Sequence, residues 1–283
     1  MNKFSMGNAF NEAKAFVMQN PLLYFGLLVV AQILSWVVIA LPIGGMAGFE
    51  SLAASGSDPE AMSQIMAGFG GLFFICLIAG TAISLAGNYA VWRHGLANGT
   101  ISAGEALVYG LKACFPALLF VFVAYIALFI GITLIALIFA GLGVASGGSG
   151  AIGALAFVLV VLVFAGFVYL LARLSIMGPI MADQNSLNPF AAAGQSWRAT
   201  AGNGWMIALF FVLCCIIFII VYMLAAMLAG GIGGASGSTG FTLILMLVLM
   251  LPVLVAGVLF AVGLPAGIYR DLVGTANKAD IFN

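Results

Sequence analysis

The sequence predicts an all-α integral membrane protein with six transmembrane helices, arranged as three helical hairpins. Of its 283 residues, 65% are hydrophobic and only 6% are charged, whereas a soluble domain carries about 25% charged residues. Eight basic residues balance eight acidic ones, so the net charge is zero. This balance argues against a protein that binds nucleic acid through a basic surface.

The uncharged runs of the sequence predict the crossings, because a helix needs about 20 apolar residues to span the hydrocarbon core. The two shorter runs, 15–49 and 61–92, each fit one crossing, and the two longer runs, 113–172 and 199–269, each fit two. Gly/Ser clusters interrupt both longer runs and are typical of turns. The predicted crossings lie near 22–43, 65–92, 115–142, 152–178, 204–229 and 241–269.

The positions of the basic residues predict the orientation. All eight precede an odd-numbered crossing or follow an even-numbered one, at Lys3, Lys14, Arg93, Lys112, Arg173, Arg198, Arg270 and Lys278. By the positive-inside rule, both termini are expected on the cytoplasmic side of a bacterial inner membrane. The start of the sequence lacks the pattern of a signal peptide, so we expect the first crossing to remain in the membrane.

An internal threefold repeat is predicted within a single membrane domain, 1–283. Similar Gly/Ser turns follow the odd crossings, starting at Ala54, Ala145 and Ala235, and each even crossing ends in a tyrosine and an arginine. The repeats cover approximately 1–95, 96–180 and 181–283.

Each odd crossing is preceded by a short segment with the periodicity of an amphipathic helix. The first segment has an apolar stripe of Met6, Phe10, Ala13 and Val17. In the second, Ser102 and Glu105 have the spacing of a capping box, and Leu107, Val108 and Leu111 form the apolar side. In the third, Asn188 and Pro189 suit a helix start, and Phe190, Ala193 and Trp197 form the stripe. We expect all three to lie along the cytoplasmic interface, apolar side toward the lipid.

The predicted crossings contain no ionisable residue in their central parts, although such residues mark proton relays and charged-substrate pathways. Polar candidates there include Gln32, Asn88 and Thr133, for which interhelical hydrogen bonds are the simpler interpretation. His94 has no neighbouring residue at a metal-binding spacing. We therefore expect no catalytic residue, cofactor or metal, and a protein that is not an enzyme.

One stretch of the sequence resembles a known family. The residues that carry the resemblance are Arg173-Leu174-Ser175, Pro179, Met181-Ala182-Asp183, Asn188-Pro189, Ala192, Ser196-Trp197, Thr200, Gly202-Asn203 and Trp205. This stretch resembles the membrane domain of bacterial glycerophosphodiester phosphodiesterases and related stand-alone inner-membrane proteins. Asp183 departs from the glutamate that is more usual in the family. The sequence also has no soluble segment for the catalytic domain, so the resemblance implies the membrane fold alone.

The remaining polar residues concentrate at the cytoplasmic interface, where we place the candidate site. Its members are Arg93, Arg173, Asp183, Trp197, Arg198 and Arg270. One hypothesis pairs Arg173 with Asp183 to position the third interfacial segment, and the alternative is that Arg173 and Trp197 only anchor it at headgroup depth. We expect the protein to bind membrane lipids, or a membrane or cytoplasmic protein partner. The alternative function is a channel or carrier for an uncharged or apolar solute, with a path near Gln32, Asn88 and Thr133.

Overall fold

Nine helices make up the described part of the chain in the computed structural model, which describes residues 3–53, 59–98, 100–145, 150–235 and 238–274. The helices are α1 (Met6–Met18), α2 (Pro21–Ala53), α3 (Pro59–Leu96), α4 (Ala103–Ala145), α5 (Gly150–Leu174), α6 (Met177–Asp183), α7 (Pro189–Ala199), α8 (Gly204–Ala235) and α9 (Thr239–Val273). Six stretches, carried by α2, α3, α4, α5 with α6, α8 and α9, are long and apolar enough to cross a membrane. The predicted number of crossings is therefore confirmed. Most of the predicted Gly/Ser turns, at 54–58, 146–149 and 236–237, lie outside the described residues.

The helix starts follow from local sequence, as predicted. At α4, the Ser102 backbone N–H donates to Glu105 Oε2 over 2.9 Å, and the Glu105 N–H donates to Ser102 Oγ over 3.2 Å. At α7, Asn188 Oδ1 accepts from the N–H groups of Phe190 and Ala191, both at 3.1 Å. These side chains satisfy backbone donors that have no partner within the helix.

The second interfacial segment differs from its prediction, because it is the beginning of α4 and not a separate helix. The other two segments are separate helices, α1 and α7, and both are followed by a residue that interrupts the helix. Pro21 starts α2, and Gly202 has a φ of +76° before α8. Between 103 and 145 the corresponding residue is Pro116, which lies inside α4. Proline in a helix removes one hydrogen bond and bends the helix without always ending it.

The first of two compact units comprises 1–18, 119–181 and 188–283. In it α1 packs along α9, α8 packs against α9 and α5, and α7 packs against α5. The contact of α1 with α9 is close because Gly267 faces Ala9 and Ala13. A Cβ at position 267 would lie 2.6 Å from the Ala13 backbone nitrogen and would collide with the Ala9 carbonyl oxygen.

The second unit comprises 19–118 and 182–187, in which α2 packs along α3. Small residues again set the distance between helices. A Cβ on Gly87 would lie 2.6 Å from Ala31 Cβ, and one on Gly110 of α4 would lie 3.0 Å from the Ala90 nitrogen. Such close approach is how helices associate in lipid, where apolar side chains gain little by leaving the solvent.

Gly267→Leu is expected to destabilise the protein, because the added side chain would collide with backbone atoms of α1 and with the Ala13 Cβ. Overpacking of this kind costs about 1–3 kcal/mol. Gly7→Leu is the matched control, since a Cβ at Gly7, on the exposed side of α1, meets no atom within 4 Å. Thermal unfolding in detergent should show a lower midpoint for Gly267→Leu than for Gly7→Leu. Equal midpoints would contradict the close packing of α1 on α9.

Candidate functional site

Arg173, at the end of α5, is 5% exposed and is held by the end of α7. Its Nη1 donates to the Thr200 carbonyl oxygen over 2.9 Å, and its Nη2 donates to the Trp197 carbonyl oxygen. The guanidinium carbon also lies 4.3 Å from the centroid of the Trp197 ring. A cation at a helix C-terminus is stabilised by the unpaired carbonyl groups there, so Arg173 positions α7 without a carboxylate.

The residues around Arg173 complete this contact. Ser196 Oγ donates to the Arg173 carbonyl oxygen over 2.7 Å, and Thr200 Oγ1 donates to the Ser196 carbonyl oxygen over 2.7 Å. Gly204 leaves the space that the Arg173 and Tyr169 side chains occupy, because a Cβ there would lie 2.8 Å from Arg173 Cδ and 2.6 Å from Tyr169 Cε2. Several residues of the stretch that resembles the phosphodiesterase family therefore serve one packing arrangement.

Arg93, at the end of α3, makes a similar contact in the other unit. Its Nη1 donates to the Ala182 carbonyl oxygen over 2.9 Å and to the Asp183 carbonyl oxygen over 3.4 Å, at the end of α6. The guanidinium carbon lies 5.6 Å from the centroid of the Tyr109 ring. The Tyr109 hydroxyl donates to the Ser186 carbonyl oxygen over 3.0 Å, which ties the start of α4 to the segment after α6.

Arg270, near the end of α9, faces α1. Its guanidinium carbon lies 5.1 Å from the centroid of the Phe16 ring, and its Nη1 lies 3.9 Å from Glu12 Oε2. Two further contacts hold the start of the chain: the Ser5 N–H donates to Asp271 Oδ2 over 3.0 Å, and the Phe4 N–H donates to Asn203 Oδ1 over 3.2 Å. Arg270 and its neighbours thus fix α1 against α9.

The three arginines that end α3, α5 and α9 are therefore engaged by groups of the protein itself. The hypothesised pair of Arg173 with Asp183 stays a prediction, since the two residues belong to different units. The backbone carbonyl oxygen of Asp183 accepts a hydrogen bond from Arg93. Carbonyl oxygens and aromatic rings around a guanidinium hold a segment in place.

Among the described residues, Lys3 and three further cations are exposed, and these three lie one on each segment before an odd-numbered crossing. They are Lys14 on α1, Lys112 on the first part of α4 and Arg198 on α7. Sequence reasoning singled out Arg198 but missed Lys14 and Lys112 as candidate site residues. The signal that could have found them is position, because each lies within an interfacial segment and not at the end of a crossing.

The same three segments expose large apolar side chains and bury mostly small residues, together with Phe16 and Tyr109. On α1 the buried residues are Ala9, Ala13 and Phe16; on the first part of α4 they include Ala106, Tyr109 and Ala113; on α7 they are Pro189, Ala192 and Ser196. The exposed residues of the predicted stripes are Phe10 at 42%, Leu107, Val108, Leu111 at 52%, Phe190 at 55% and Trp197 at 43%. Each predicted stripe therefore has at least one exposed large apolar side chain, whereas Ala13 of the first stripe faces the protein.

The intramembrane polar candidates are distributed over both units. Gln32 Oε1 accepts a hydrogen bond from Ser84 Oγ over 3.2 Å, which links α2 to α3. Asn88 is partly buried on α3 of the same unit, and Thr133 is partly buried on α4 in the other unit. For Gln32, the simpler interpretation of an interhelical hydrogen bond is confirmed.

His94 is buried beside Tyr24, with the Tyr24 hydroxyl 3.4 Å from its Nδ1. Within the described ranges, no group of three or more histidine, cysteine, aspartate or glutamate side chains could hold a metal ion.

The helices define the class of the protein, a multi-pass helical membrane protein. The comparisons go no further. No family model, no curated protein and no solved structure matches the chain.

Arg173→Met should destabilise the protein, because it leaves the buried carbonyl oxygens of Thr200 and Trp197 without their donor. The loss of such a charged hydrogen-bond partner costs about 1–3 kcal/mol. Arg198→Met is the matched control on the same helix end, and a change at an exposed position of this kind stays within about 0.5 kcal/mol. Thermal unfolding in detergent measures both. A larger loss for Arg198→Met would reverse the roles given to the two arginines.

Proposed function

We propose that the protein is a non-enzymatic integral membrane protein that binds membrane lipid through the three segments before its odd-numbered crossings. The observation that carries the proposal is that some cations are held inside the protein and others are exposed. Arg93, Arg173 and Arg270 are held within the protein, whereas Lys14, Lys112 and Arg198 are exposed beside large apolar side chains. An exposed cation next to an apolar surface at the membrane boundary suits an anionic headgroup and its acyl chains.

A protein partner is the second occupant of the same surface, since exposed apolar patches also mark protein interfaces. The lipid is favoured because the exposed side chains combine cations with aromatic rings. Phe10, Phe190 and Trp197 lie on helices that begin or end beside crossings, where aromatic residues sit at headgroup depth.

The proposed topology places both termini in the cytoplasm of a bacterium, with the exposed cations on the inner face of its membrane. It follows from the even number of crossings and the positions of the basic residues. On this topology the three segments meet the leaflet whose anionic lipids attract basic side chains.

The threefold repeat and its hairpins also belong to this proposal, and one pattern of contacts supports them. Each arginine at the end of an even-numbered crossing lies over an aromatic ring in the segment that starts another repeat. Arg93 lies over Tyr109, Arg173 over Trp197 and Arg270 over Phe16. The three pairs follow the same cyclic order of repeats, first to second, second to third and third to first.

The alternative function is a channel or carrier for an uncharged or apolar solute. It has less support, because Gln32 is engaged in a hydrogen bond with Ser84. The resemblance to the phosphodiesterase membrane domain is likewise kept as a proposal about the fold and carries no activity.

The proposed topology predicts the behaviour of alkaline phosphatase fusions, which are active only outside the cytoplasm. A fusion at the C-terminus should be inactive, and a fusion in the predicted outer turn at 146–149 should be active. Enzyme activity in intact cells, compared with the amount of fusion protein, is the measurement. The opposite pattern would invert the protein and remove the exposed cations from the inner leaflet.

The lipid proposal predicts that the triple variant Lys14→Gln, Lys112→Gln, Arg198→Gln loses its preference for anionic lipid. Each cation near an anionic surface contributes about 1 kcal/mol. Native mass spectrometry of protein incubated with equal amounts of phosphatidylglycerol and phosphatidylcholine measures the preference. The thermal unfolding midpoint should stay unchanged, because all three side chains are exposed.

The control is Lys3→Gln with Lys278→Gln, which removes cations outside the three segments. A triple variant that keeps the wild-type preference would overturn lipid binding through these segments. If the triple variant instead releases a co-purifying protein subunit, the surface belongs to a protein partner.

A further inference from the structure

The second unit contains an apolar groove that the proposed function does not use. It has a volume of about 510 Å³ and is lined by α2, α3 and the first part of α4. Its walls are almost entirely apolar atoms, among them those of Leu22, Leu34, Gly87, Leu107 and Leu111. The groove therefore suits a hydrocarbon and offers little to a polar solute.

The length of the groove matches one leaflet of a bilayer. Its lining on α2 runs from Leu22 to Leu34, which is about 18 Å at a rise of about 1.5 Å per residue. Half of a hydrocarbon core about 30 Å thick is about 15 Å. Leu22 lies next to the start of α2 and Leu107 next to the start of α4, so one end of the groove is at the membrane boundary.

The width of the groove suits an extended hydrocarbon chain. The volume spread over that length gives a cross-section on the order of 30 Å². A single extended hydrocarbon chain fits a groove of this width.

The charge beside the groove is positive. Lys112 is exposed and directly follows Leu111, a lining residue, and its flexible stem can carry the ammonium toward the interface. The acidic residue of the same segment, Glu105, accepts hydrogen bonds from the backbone N–H and the hydroxyl of Ser102 at the helix start. Because lipid tails are as apolar as the groove, the choice among lipids depends on packing in the groove and on the headgroup.

We infer that this groove holds one acyl chain of an anionic phospholipid, with Lys112 as the partner of its headgroup phosphate. The inference deepens the proposed function and rests on it for the headgroup. It adds a defined site for the acyl chain, formed by α2, α3 and α4. The three exposed segments alone do not supply such a site.

Gly26 provides the test, because it lines the groove and a Cβ there meets no atom within 4 Å. Gly26→Leu therefore fills the groove without displacing the backbone. The matched control is Gly166→Leu, an exposed position on α5 of the other unit where a Cβ also meets no atom within 4 Å. Each protein is purified in mild detergent, incubated with equal amounts of phosphatidylglycerol and phosphatidylcholine, and weighed by native mass spectrometry.

Wild type and Gly166→Leu should retain one phosphatidylglycerol more than Gly26→Leu. Lys112→Gln should retain as many phospholipids as wild type, with a weaker preference for phosphatidylglycerol. A second measurement needs no variant: phosphatidylglycerol with a photoreactive acyl chain should label wild type within 22–34, 83–87 or 107–111. If Gly26→Leu unfolds at a lower temperature than Gly166→Leu, its loss of lipid could come from instability, and the labelling of wild type then tests the groove.

If Gly26→Leu retains as many lipids as Gly166→Leu, or if labelling is confined to helices other than α2, α3 and α4, the groove is not the site. Loss of a protein subunit with Gly26→Leu would overturn it in favour of a protein partner. Failure of the proposed function has a different signature. In that case Gly26→Leu releases the lipid, while the triple cation variant keeps its preference for phosphatidylglycerol. This result would support the groove as the site of the acyl chain and would overturn the contact between Lys112 and the headgroup.

Discussion

A guanidinium group at the end of an apolar helix needs oxygen acceptors, and the fold meets this need with the ends of two short helices. Arg93 donates to carbonyl oxygens at the end of α6, and Arg173 donates to those at the end of α7. The carbonyl groups at a helix C-terminus have no partner within the helix. One contact therefore gives the buried guanidinium its hydrogen-bond acceptors and gives the carbonyl groups at the helix end their donor.

This contact explains why one stretch of the sequence has a recognisable pattern. Thr200 bonds to Ser196, Ser196 bonds to the Arg173 backbone, and Gly204 leaves room for the arginine side chain. Gly202 adopts the positive φ that ends the segment before α8. Packing around Arg173 therefore accounts for these residues.

The sequence predicted those parts of the fold that depend on composition and on neighbouring residues. The count of six crossings came from the spacing of charges, and the Ser102–Glu105 and Asn188 helix starts came from short motifs. The sequence did not predict the contacts between distant segments. Whether a cation is internal, as Arg173 is, or exposed, as Lys112 is, depends on which helix end packs beside it. The continuity of α4 through Pro116 is also a tertiary result, because proline alone permits either a bend or a break.

The internal cations hold the short helices in place, whereas the exposed cations are available to bind a ligand. Lys14, Lys112 and Arg198 can change without disturbing the contacts that hold α1 and α7, because those contacts are made by other residues, Arg270 and Arg173. Mostly small residues lie on the buried side of each segment, and large apolar side chains lie on the exposed side. Their exposure is costly in water and neutral in lipid. A membrane boundary is the environment in which both exposed features, the cations and the apolar side chains, are stable together.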